Sequence, residues 1–209
     1  MPTPHASPTR ILLGLGNPGS RYAATRHNIG WMALDAAAKQ MKVELQPGHG
    51  DYWEAVGVWQ GRQILLAKPT TYMNNSGTAA AQLLERYNRT PADLLVIVDE
   101  FQFPVGKIQI KPSGSSGGHN GLESLIYPLE TRDFPRLRCG IGRDFGPGQM
   151  ADYVLAPFPA EQQQAVEQMI LQARDAMLDW AAHGTERAMV LHNKLRDGGR
   201  GNVEGRTQE

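Results

Sequence analysis

Four polar segments of this 209-residue chain contain most of the side chains that could do chemistry. They read GNPGSRYAATRHN, KPTTYMNNSG, VDEFQFP and SGSSGGHNG. Their polar residues are mostly amides and imidazoles, with one acidic pair: Asn17, His27, Asn74, Asn75, Asp99, Glu100, His119 and Asn120. Amides hold carbonyl groups and waters through neutral hydrogen bonds, and a histidine can act as a general base. The set therefore favours attack by an activated water.

Other kinds of reactive site have less support. A covalent nucleophile is not expected, because a serine elbow of the G-x-S-x-G type is expected to be absent and the single cysteine, Cys139, falls within a predicted strand. A metal centre would need several closely spaced histidine or carboxylate ligands. We therefore expect no metal.

The segment Gly14–Gly19 fits the spacing G-x-G-x-x-G after a short apolar run, as a dinucleotide-binding loop does. Glu44 follows at a distance that suits a ribose-binding acid, so spacing alone leaves a nicotinamide-dependent oxidoreductase open. However, Pro18 and its neighbours form a rigid turn where that fingerprint would begin its helix. We expect the helix to begin near Thr25, and the glycines to let the loop turn tightly and present Asn17.

The composition is that of a folded protein without a strong net electrostatic field. Hydrophobic residues make up 41% and charged residues 20%, and the 21 basic residues balance 21 acidic ones. Any contact with nucleic acid must therefore use a local patch. No apolar stretch is long enough to span a bilayer, and the N-terminal ten residues lack the apolar core of a signal peptide. Together with the single cysteine, this predicts a cytoplasmic protein.

Strands and helices alternate along the sequence. Strands are predicted at 10–14, 51–59, 62–69, 93–100, 105–112 and 136–142, and helices at 25–41, 74–88, 122–129, 160–181 and 185–195. The alternation predicts an α/β fold: one domain with a mixed, largely parallel twisted sheet and helices on both faces. We expect this domain to span residues 10–194, after a flexible lead-in at residues 1–9 and before a disordered tail at residues 195–209.

Two helices carry apolar stripes that predict which side faces the core. In the first the stripe comprises Trp31, Leu34, Asp35 and Ala38. In the long C-terminal helix it comprises Val166, Met169, Ile170, Ala173, Met177 and Trp180. The strand RLRCGIG places two arginines on one face and Leu137 and Cys139 on the other.

The polar segments resemble the signature blocks of the bacterial peptidyl-tRNA hydrolase family. The similar blocks are GLGNPGSRYAATRHNIGW, KPTTYMNNSG, LLVIVDEFQFPVGKIQIKPSGSSGGHNGL, FPRLRCGIGR and DYVLAPF. They occur in the family's order between about Ile11 and Phe158. The resemblance implies a single α/β domain that hydrolyses the ester joining a peptide to the ribose of tRNA, without a cofactor.

The resemblance also implies roles for catalytic residues. His27 corresponds to the base that takes a proton from the attacking water, and Asp99 to its orienting carboxylate. Asn17 and Asn74 resemble the amides that hold the substrate, and Asn120 the residue that positions water or the developing oxyanion.

Further positions are implied to contact the substrate. Tyr22 and Met73 resemble flanking wall residues, and Lys111 and Arg138 match basic positions that hold phosphate near the acceptor end. Three more cations could extend that basic patch: Lys107, Arg136 and Arg143. Gln102 stands where many relatives carry an acid.

The expected partner is the acceptor end of peptidyl-tRNA, with no membrane and no obligate protein partner, and a monomer is the family expectation. An RNA-binding protein of the same fold without turnover is the main alternative. Two further alternative functions are a nicotinamide-dependent oxidoreductase and a hydrolase of small esters.

Overall fold

A seven-stranded sheet forms the centre of the computed structural model, which describes residues 8–193. Its strands are β1 (Arg10–Gly14), β2 (Gln46–Pro47), β3 (Tyr52–Trp59), β4 (Arg62–Pro69), β5 (Leu94–Glu100), β6 (Ile108–Lys111) and β7 (Arg136–Gly140). They lie in the order β2-β3-β4-β1-β5-β7-β6. Strands β4, β1, β5 and β7 are parallel, whereas β2, β3 and β6 pair antiparallel with their neighbours. The predicted mixed, largely parallel sheet is confirmed.

Helices cover both faces of the sheet, as predicted. They are α1 (Ile29–Met41), α2 (Ser76–Tyr87), α3 (Asn120–Leu129), α4 (Met150–Val154), α5 (Gln163–His183) and α6 (Thr185–His192). Helices α1 and α5 pack on one face against a core that includes Leu12, Ile97 and Leu137. Helices α2 and α3 pack on the other face, where the core includes Leu13 and Val96. The predicted tail, residues 195–209, lies outside the described residues, as do residues 1–7 of the lead-in.

Local sequence explains several of these elements. The β3–β4 hairpin turns at Gln60 and Gly61, whose φ angles are 47° and 76°. Positive φ at both central positions is the geometry of the tight turns that match the twist of paired strands. In β5 the apolar run Leu94–Val98 sends successive side chains into the two cores, which is why the strand shows no alternation with polar residues.

The predicted stripe of α1 is wrong in part. Asp35 is exposed and Trp31 only partly buried, while Ala33 and Ala37 take up core positions. Small residues allow α1 to lie close to the sheet, so its buried face is not the one with the largest side chains. In α5 the predicted stripe is confirmed, with only Ile170 left partly exposed.

The strand order brings three of the four polar segments to one edge of the sheet. Strand β1 lies between β4 and β5, and the segments that follow these three parallel strands leave from their shared carboxyl edge. The fourth segment, SGSSGGHNG, starts from the other edge of the sheet. It follows β6, which is antiparallel to β7, so that Lys111 at the end of β6 pairs with Arg136 at the start of β7. From there the loop returns to His119, next to the end of β5.

A close approach of α2 and α3 gives a test of the packing. A Cβ atom at Gly77 would lie 1.8 Å from the carbonyl oxygen of Ser124. We expect Gly77→Ala to lower the free energy of unfolding by about 1–3 kcal/mol, since the backbones must separate. Denaturant titration measures this. In the matched control Gly146→Ala, the added methyl meets only the flexible end of Gln149. Equal stability of the two variants would contradict the close packing.

Candidate active site

A cavity of about 780 Å³ opens where the polar segments meet. One side is formed by residues that follow β1, β4 and β5, and another by the loop between β6 and α3. Helix α4 adds an apolar wall that includes Met150, Val154 and Leu155. A concave site with a few convergent polar groups is typical of small-ligand and catalytic sites.

Two imidazoles share one carboxylate oxygen in this cavity. His27 contacts Asp99 at 2.7 Å, from Nδ1 to Oδ1, and His119 contacts the same oxygen through Nε2 at 2.9 Å. The ring centroids of the two histidines are 5.1 Å apart. His27 lies in a short 3-10 turn, Arg26–Asn28, that leads into α1, and Asp99 lies near the end of β5.

The hydrogen bonds fix the tautomer of each ring. Nδ1 of His119 accepts from the backbone N–H groups of Gly121 and Leu122 at 3.1 and 3.2 Å, so its proton lies on Nε2 and points to Asp99. Asp99 as a carboxylate can only accept, so His27 donates from Nδ1. The Nε2 lone pair of His27 is then free to take a proton from water, which is what a general base requires.

The charges in this cluster act together. Burial by itself would raise the pKa of Asp99, but the charges and hydrogen bonds of His27 and His119 outweigh it and hold the pKa well below its usual range. Burial would lower the pKa of His27, but the Asp99 carboxylate more than offsets this and raises the pKa above its usual value. Asp99 therefore stays ionised and makes His27 a stronger base.

The same three residues have ligand atoms within 4.8 Å of one another, as a metal site would need. Two of the separations, 2.7 and 2.9 Å, are lengths of direct N–H···O hydrogen bonds. Since both ring protons point at Asp99, the arrangement fits a hydrogen-bonded chain better than a set of metal ligands.

Asn17 is held rigidly beside the histidine. Its backbone N–H donates to Asn28 Oδ1 and its carbonyl accepts from Asn28 Nδ2, both at 2.9 Å. Its side-chain Oδ1 accepts from the backbone N–H of Met73 at 2.8 Å. These contacts fix the side chain and leave its Nδ2 group to donate to a ligand in the cavity.

Asn74 and Asn120 complete the amides of the cavity. Both side chains line it, both residues are exposed, and neither forms a side-chain hydrogen bond within residues 8–193. Asn74 is not a helix cap, because it lies inside the turn Met73–Asn75 and Asn75 precedes α2. Both amides are therefore free to bind a ligand.

Comparisons with known proteins agree with this geometry. Residues 11–198 match the sequence profile of the family described as peptidyl-tRNA hydrolase. The chain belongs to the peptidyl-tRNA hydrolase family. A peptidyl-tRNA hydrolase of Chlorobaculum parvum is 40% identical, with 88% of this chain and 98% of the relative covered. One of Salinibacter ruber is 44% identical, covering 90% and 100%.

A solved structure shows the same fold. The crystal structure of peptidyl-tRNA hydrolase from Acinetobacter baumannii superposes with a TM-score of 0.85 at 30% sequence identity, covering 92% of this chain and 98% of that one. The family resemblance drawn from the sequence blocks is thus confirmed. No helix within the described residues has the length and apolar character needed to span a membrane.

The structure brings nearly all the predicted site residues of this family member into the cavity. Its lining includes His27, Asp99, Asn17, Met73, Asn74, Asn120, Lys111 and Arg138. Tyr22 is the exception: its ring lies edge-on behind Tyr72, with centroids 6.4 Å apart. Tyr72 is more than half exposed and lines the cavity, so Tyr22 borders the cavity only through its contact with Tyr72.

The predicted basic contacts differ in their surroundings. Arg138 is paired with Glu100: Nε donates to Oε2 at 2.7 Å, and Nη2 donates to the same oxygen. Its charge is therefore balanced within the protein. Lys111 is exposed and forms no ion pair within residues 8–193. Of the two, Lys111 is the cation that is free to meet a phosphate.

The other three cations differ in exposure: Arg143 is exposed, Lys107 is half-buried and Arg136 is buried. Arg136 is buried, with four hydrogen bonds to backbone carbonyls. Lys107 and Arg143 lie over the rings of Phe103 and Phe101 and do not line the cavity. The guanidinium of Arg136 binds backbone carbonyls inside the protein because the loop after β6 covers this face of β7.

A covalent nucleophile remains unsupported. Burial and the Asp99 charge raise the pKa of the Cys139 thiol to about 12, so it is not a thiolate at neutral pH. The expected absence of the G-x-S-x-G spacing is wrong, because residues 114–118 read GSSGG. Its central Ser116 Oγ contacts only the Gly118 N–H, at 3.5 Å, and no histidine within the described chain. Without a paired base the hydroxyl is not activated.

The glycines after β1 serve packing. A Cβ atom at Gly14 would lie 2.5 Å from the carbonyl oxygen of Gly30, and one at Gly16 would lie 2.6 Å from the Trp31 ring. Helix α1 begins only at Ile29, well beyond the position that a dinucleotide fingerprint requires. The loop presents Asn17 to the cavity, as expected, but Gly14 and Gly16 are needed for close packing, and only Gly19 has the positive φ of a turn glycine, 105°.

Sequence reasoning missed two parts of the site. His119 was named among the polar residues but was given no role, and the structure shows it as the N-cap of α3, where its side chain accepts from two backbone N–H groups. The apolar wall of α4 gave no signal, because Met150 and Leu155 lie far along the chain from the polar segments. Each of the two residues is 40% exposed.

Proposed function

We propose that this protein hydrolyses the ester bond between a peptide, or an N-blocked aminoacyl group, and the 3′-terminal ribose of tRNA. The observation that carries the proposal is the His27–Asp99 pair, set in a cavity whose other polar groups are mainly amides. An ester has a better leaving group than an amide, so a positioned base and a few hydrogen-bond donors suffice.

In the proposed reaction His27 Nε2 takes a proton from water as the water oxygen attacks the ester carbonyl carbon. Asp99 stabilises the imidazolium that forms and keeps its ring in place. The C–O bond to the ribose then breaks, and the imidazolium returns the proton to the ribose oxygen. The products are tRNA with a free hydroxyl and a peptide carboxylic acid, which loses its remaining proton to the solvent and becomes a carboxylate. No covalent intermediate is formed.

The three amides would hold the substrate around this base. Asn17 can donate from Nδ2 because its Oδ1 is occupied by the Met73 N–H. Asn74 has both its donor and its acceptor available for the substrate. Asn120, at the start of α3, would position the attacking water or stabilise the negative charge on the carbonyl oxygen.

Binding of tRNA would depend on a few contacts to its backbone. Lys111 supplies an unpaired ammonium at the rim of the cavity, and Arg138 supplies a guanidinium shared with Glu100. Because the chain has no net charge, these local contacts must provide most of the electrostatic attraction. Such contacts suit an enzyme that serves many different tRNAs, since they read no bases.

Lys111→Ala is expected to weaken tRNA binding several-fold and leave kcat nearly unchanged. Loss of one phosphate contact should also reduce the slope of log K against log salt by about 0.7–0.9. Binding titrations at several salt concentrations measure both effects. The control is Lys39→Ala, an exposed lysine near the end of α1 and outside the cavity. An unchanged salt slope in Lys111→Ala would remove this residue from the tRNA contact.

We further propose that the domain at residues 10–194 works as a monomer, without a protein partner or cofactor, in the cytoplasm. The single cysteine is buried, so it is not available for a disulfide between copies of the chain. A sedimentation measurement during turnover would test the monomer, and activity confined to a dimer would refute it.

The decisive experiment measures release of an N-blocked aminoacyl group from tRNA by the purified protein in the presence of a chelator. We expect rapid release, and much slower cleavage of the same acyl group on a small alcohol. Binding of tRNA without release would favour an RNA-binding protein of this fold. Equal rates on both esters would favour a hydrolase of small esters, and activity lost with the chelator would favour a metal at His27, Asp99 and His119.

A further inference from the structure

A buried guanidinium without a carboxylate partner lies behind the Gly/Ser loop, residues 113–118. Arg136 is 2% exposed and forms no ion pair within residues 8–193. Its Nη1 donates to the carbonyls of Gly114 and Ser115 at 2.8 and 3.0 Å. Burial and the nearby Arg138 lower its pKa to about 10, so it is still charged at neutral pH. The proposed hydrolysis makes no use of this charge.

Arg136 also determines which way the peptide groups of the loop point. In a trans peptide the C=O and N–H groups point in opposite directions, and no described peptide bond is cis. The carbonyls of Gly114 and Ser115 point at the guanidinium, so the N–H groups of Ser115 and Ser116 point away from it. Neither N–H donates to another group of residues 8–193, and Ser115 is exposed at the cavity.

The surroundings of these two donors are positive. Lys111 is directly opposite Arg136 in the β6–β7 register, and both residues line the cavity together with the loop. The loop itself contains only glycines and serines. Successive backbone N–H groups near positive charges form a concave site that favours an anion. An unpaired buried charge is costly, and a bound anion would offset that cost.

The position of Arg136 and the Gly/Ser loop relative to the catalytic residues determines which anion could bind there. Arg136 is three residues before Cys139, the β7 partner of Asp99, so the backbone of Arg136 lies about 10 Å along the strands from the catalytic carboxylate. The loop carries no base or charged side chain that could act on the ester, and its backbone N–H groups can only donate hydrogen bonds. The part of the substrate within reach is the single-stranded 3′ end of the tRNA, whose charged groups are phosphodiesters.

We propose that the N–H groups of Ser115 and Ser116, with the charges of Arg136 and Lys111, form an anion subsite that binds one phosphodiester of the 3′ end of the tRNA. The inference rests on the proposed function and adds a second backbone contact to it. The subsite would hold the terminal nucleotides so that the ester lies at His27.

The test uses an acceptor-stem RNA hairpin that ends in single-stranded CCA. In two further hairpins, one or the other of the last two phosphodiesters is replaced by an uncharged methylphosphonate. The dissociation constant of each is measured by fluorescence anisotropy. For the wild type we expect one replacement to raise the constant by on the order of tenfold, and the other to change it much less.

Ser115→Asp places a negative charge at the subsite and should weaken binding of the natural hairpin by a similar factor. The Ser115→Asp variant should no longer distinguish the natural hairpin from the hairpin whose sensitive phosphodiester is replaced by the neutral methylphosphonate. Ser115→Asn, of the same size and uncharged, should keep the wild-type pattern. Should Ser115→Asp fail to fold, Ser116→Asp is expected to give the same loss of discrimination.

Two results would overturn the subsite. In one, the wild type binds all three hairpins equally; in the other, Ser115→Asp weakens binding of natural and neutral hairpins by the same factor. Either result, with normal release of N-blocked aminoacyl groups, leaves the proposed function intact. Absence of release by the wild type would instead contradict the proposed function.

Discussion

Replacing His27 with alanine is expected to lower kcat for release of N-blocked aminoacyl groups from tRNA by about 10²–10⁴-fold, the usual contribution of a general base. The Nε2 atom of His27 is the free imidazole nitrogen of the Asp99 cluster, because His119 uses both of its nitrogens in hydrogen bonds. Single-turnover kinetics at saturating enzyme isolate this step from binding.

Binding should survive the same substitution. The predicted phosphate contacts, Lys111 and Arg138, do not touch His27, so the dissociation constant for tRNA should change little. His192→Ala is a matched control, since His192 pairs with Asp179 at 2.8 Å but does not line the cavity. It should keep wild-type activity. Full activity of His27→Ala, with its fold intact by circular dichroism, would refute the proposed base.

Replacing Asp99 with asparagine is expected to have the second largest effect, a loss of up to about 10⁴-fold in kcat. An asparagine can no longer stabilise the imidazolium, and its amide can donate to Nδ1 of His27, which would move the imidazole proton to Nε2. Asp99 also fixes His119, so the variant loosens both rings.

The pH dependence separates this effect from simple damage. His27 must be neutral to act, so activity falls as the pH decreases through its pKa, which Asp99 raises above its usual value. Without that carboxylate the burial of His27 is unopposed and lowers its pKa. The acid limb of the kcat profile should therefore move to lower pH in Asp99→Asn. Asp179→Asn is the control, and an acid limb that stays in place would show that another group titrates.

Much of the architecture could be predicted because local sequence determines it. The continuous apolar run Leu94–Val98 is typical of a strand covered on both faces, and Gln60-Gly61 between two strands favours a tight hairpin turn. The stripe of α5 likewise follows from helical periodicity. The stripe of α1 failed because small residues, which carry little hydrophobic signal, fit closest to the sheet.

The residues of the candidate site also fall into those that the sequence could predict and those that it could not. The sequence by itself determined the family, through blocks whose order and residue types match, and hence the choice of His27, Asp99 and the three amides. These residues lie in segments that immediately follow predicted strands, and the carboxyl ends of parallel strands share one edge.

Only the tertiary structure decided what surrounds them. The pairing of Arg138 with Glu100 depends on the register of β5 and β7, and the burial of Arg136 depends on a loop that crosses from an antiparallel strand. His119 gained its contact with Asp99 through the start of α3. Such contacts join residues 20 or more positions apart, so their geometry arises from the packing of whole elements and is not encoded in any short segment.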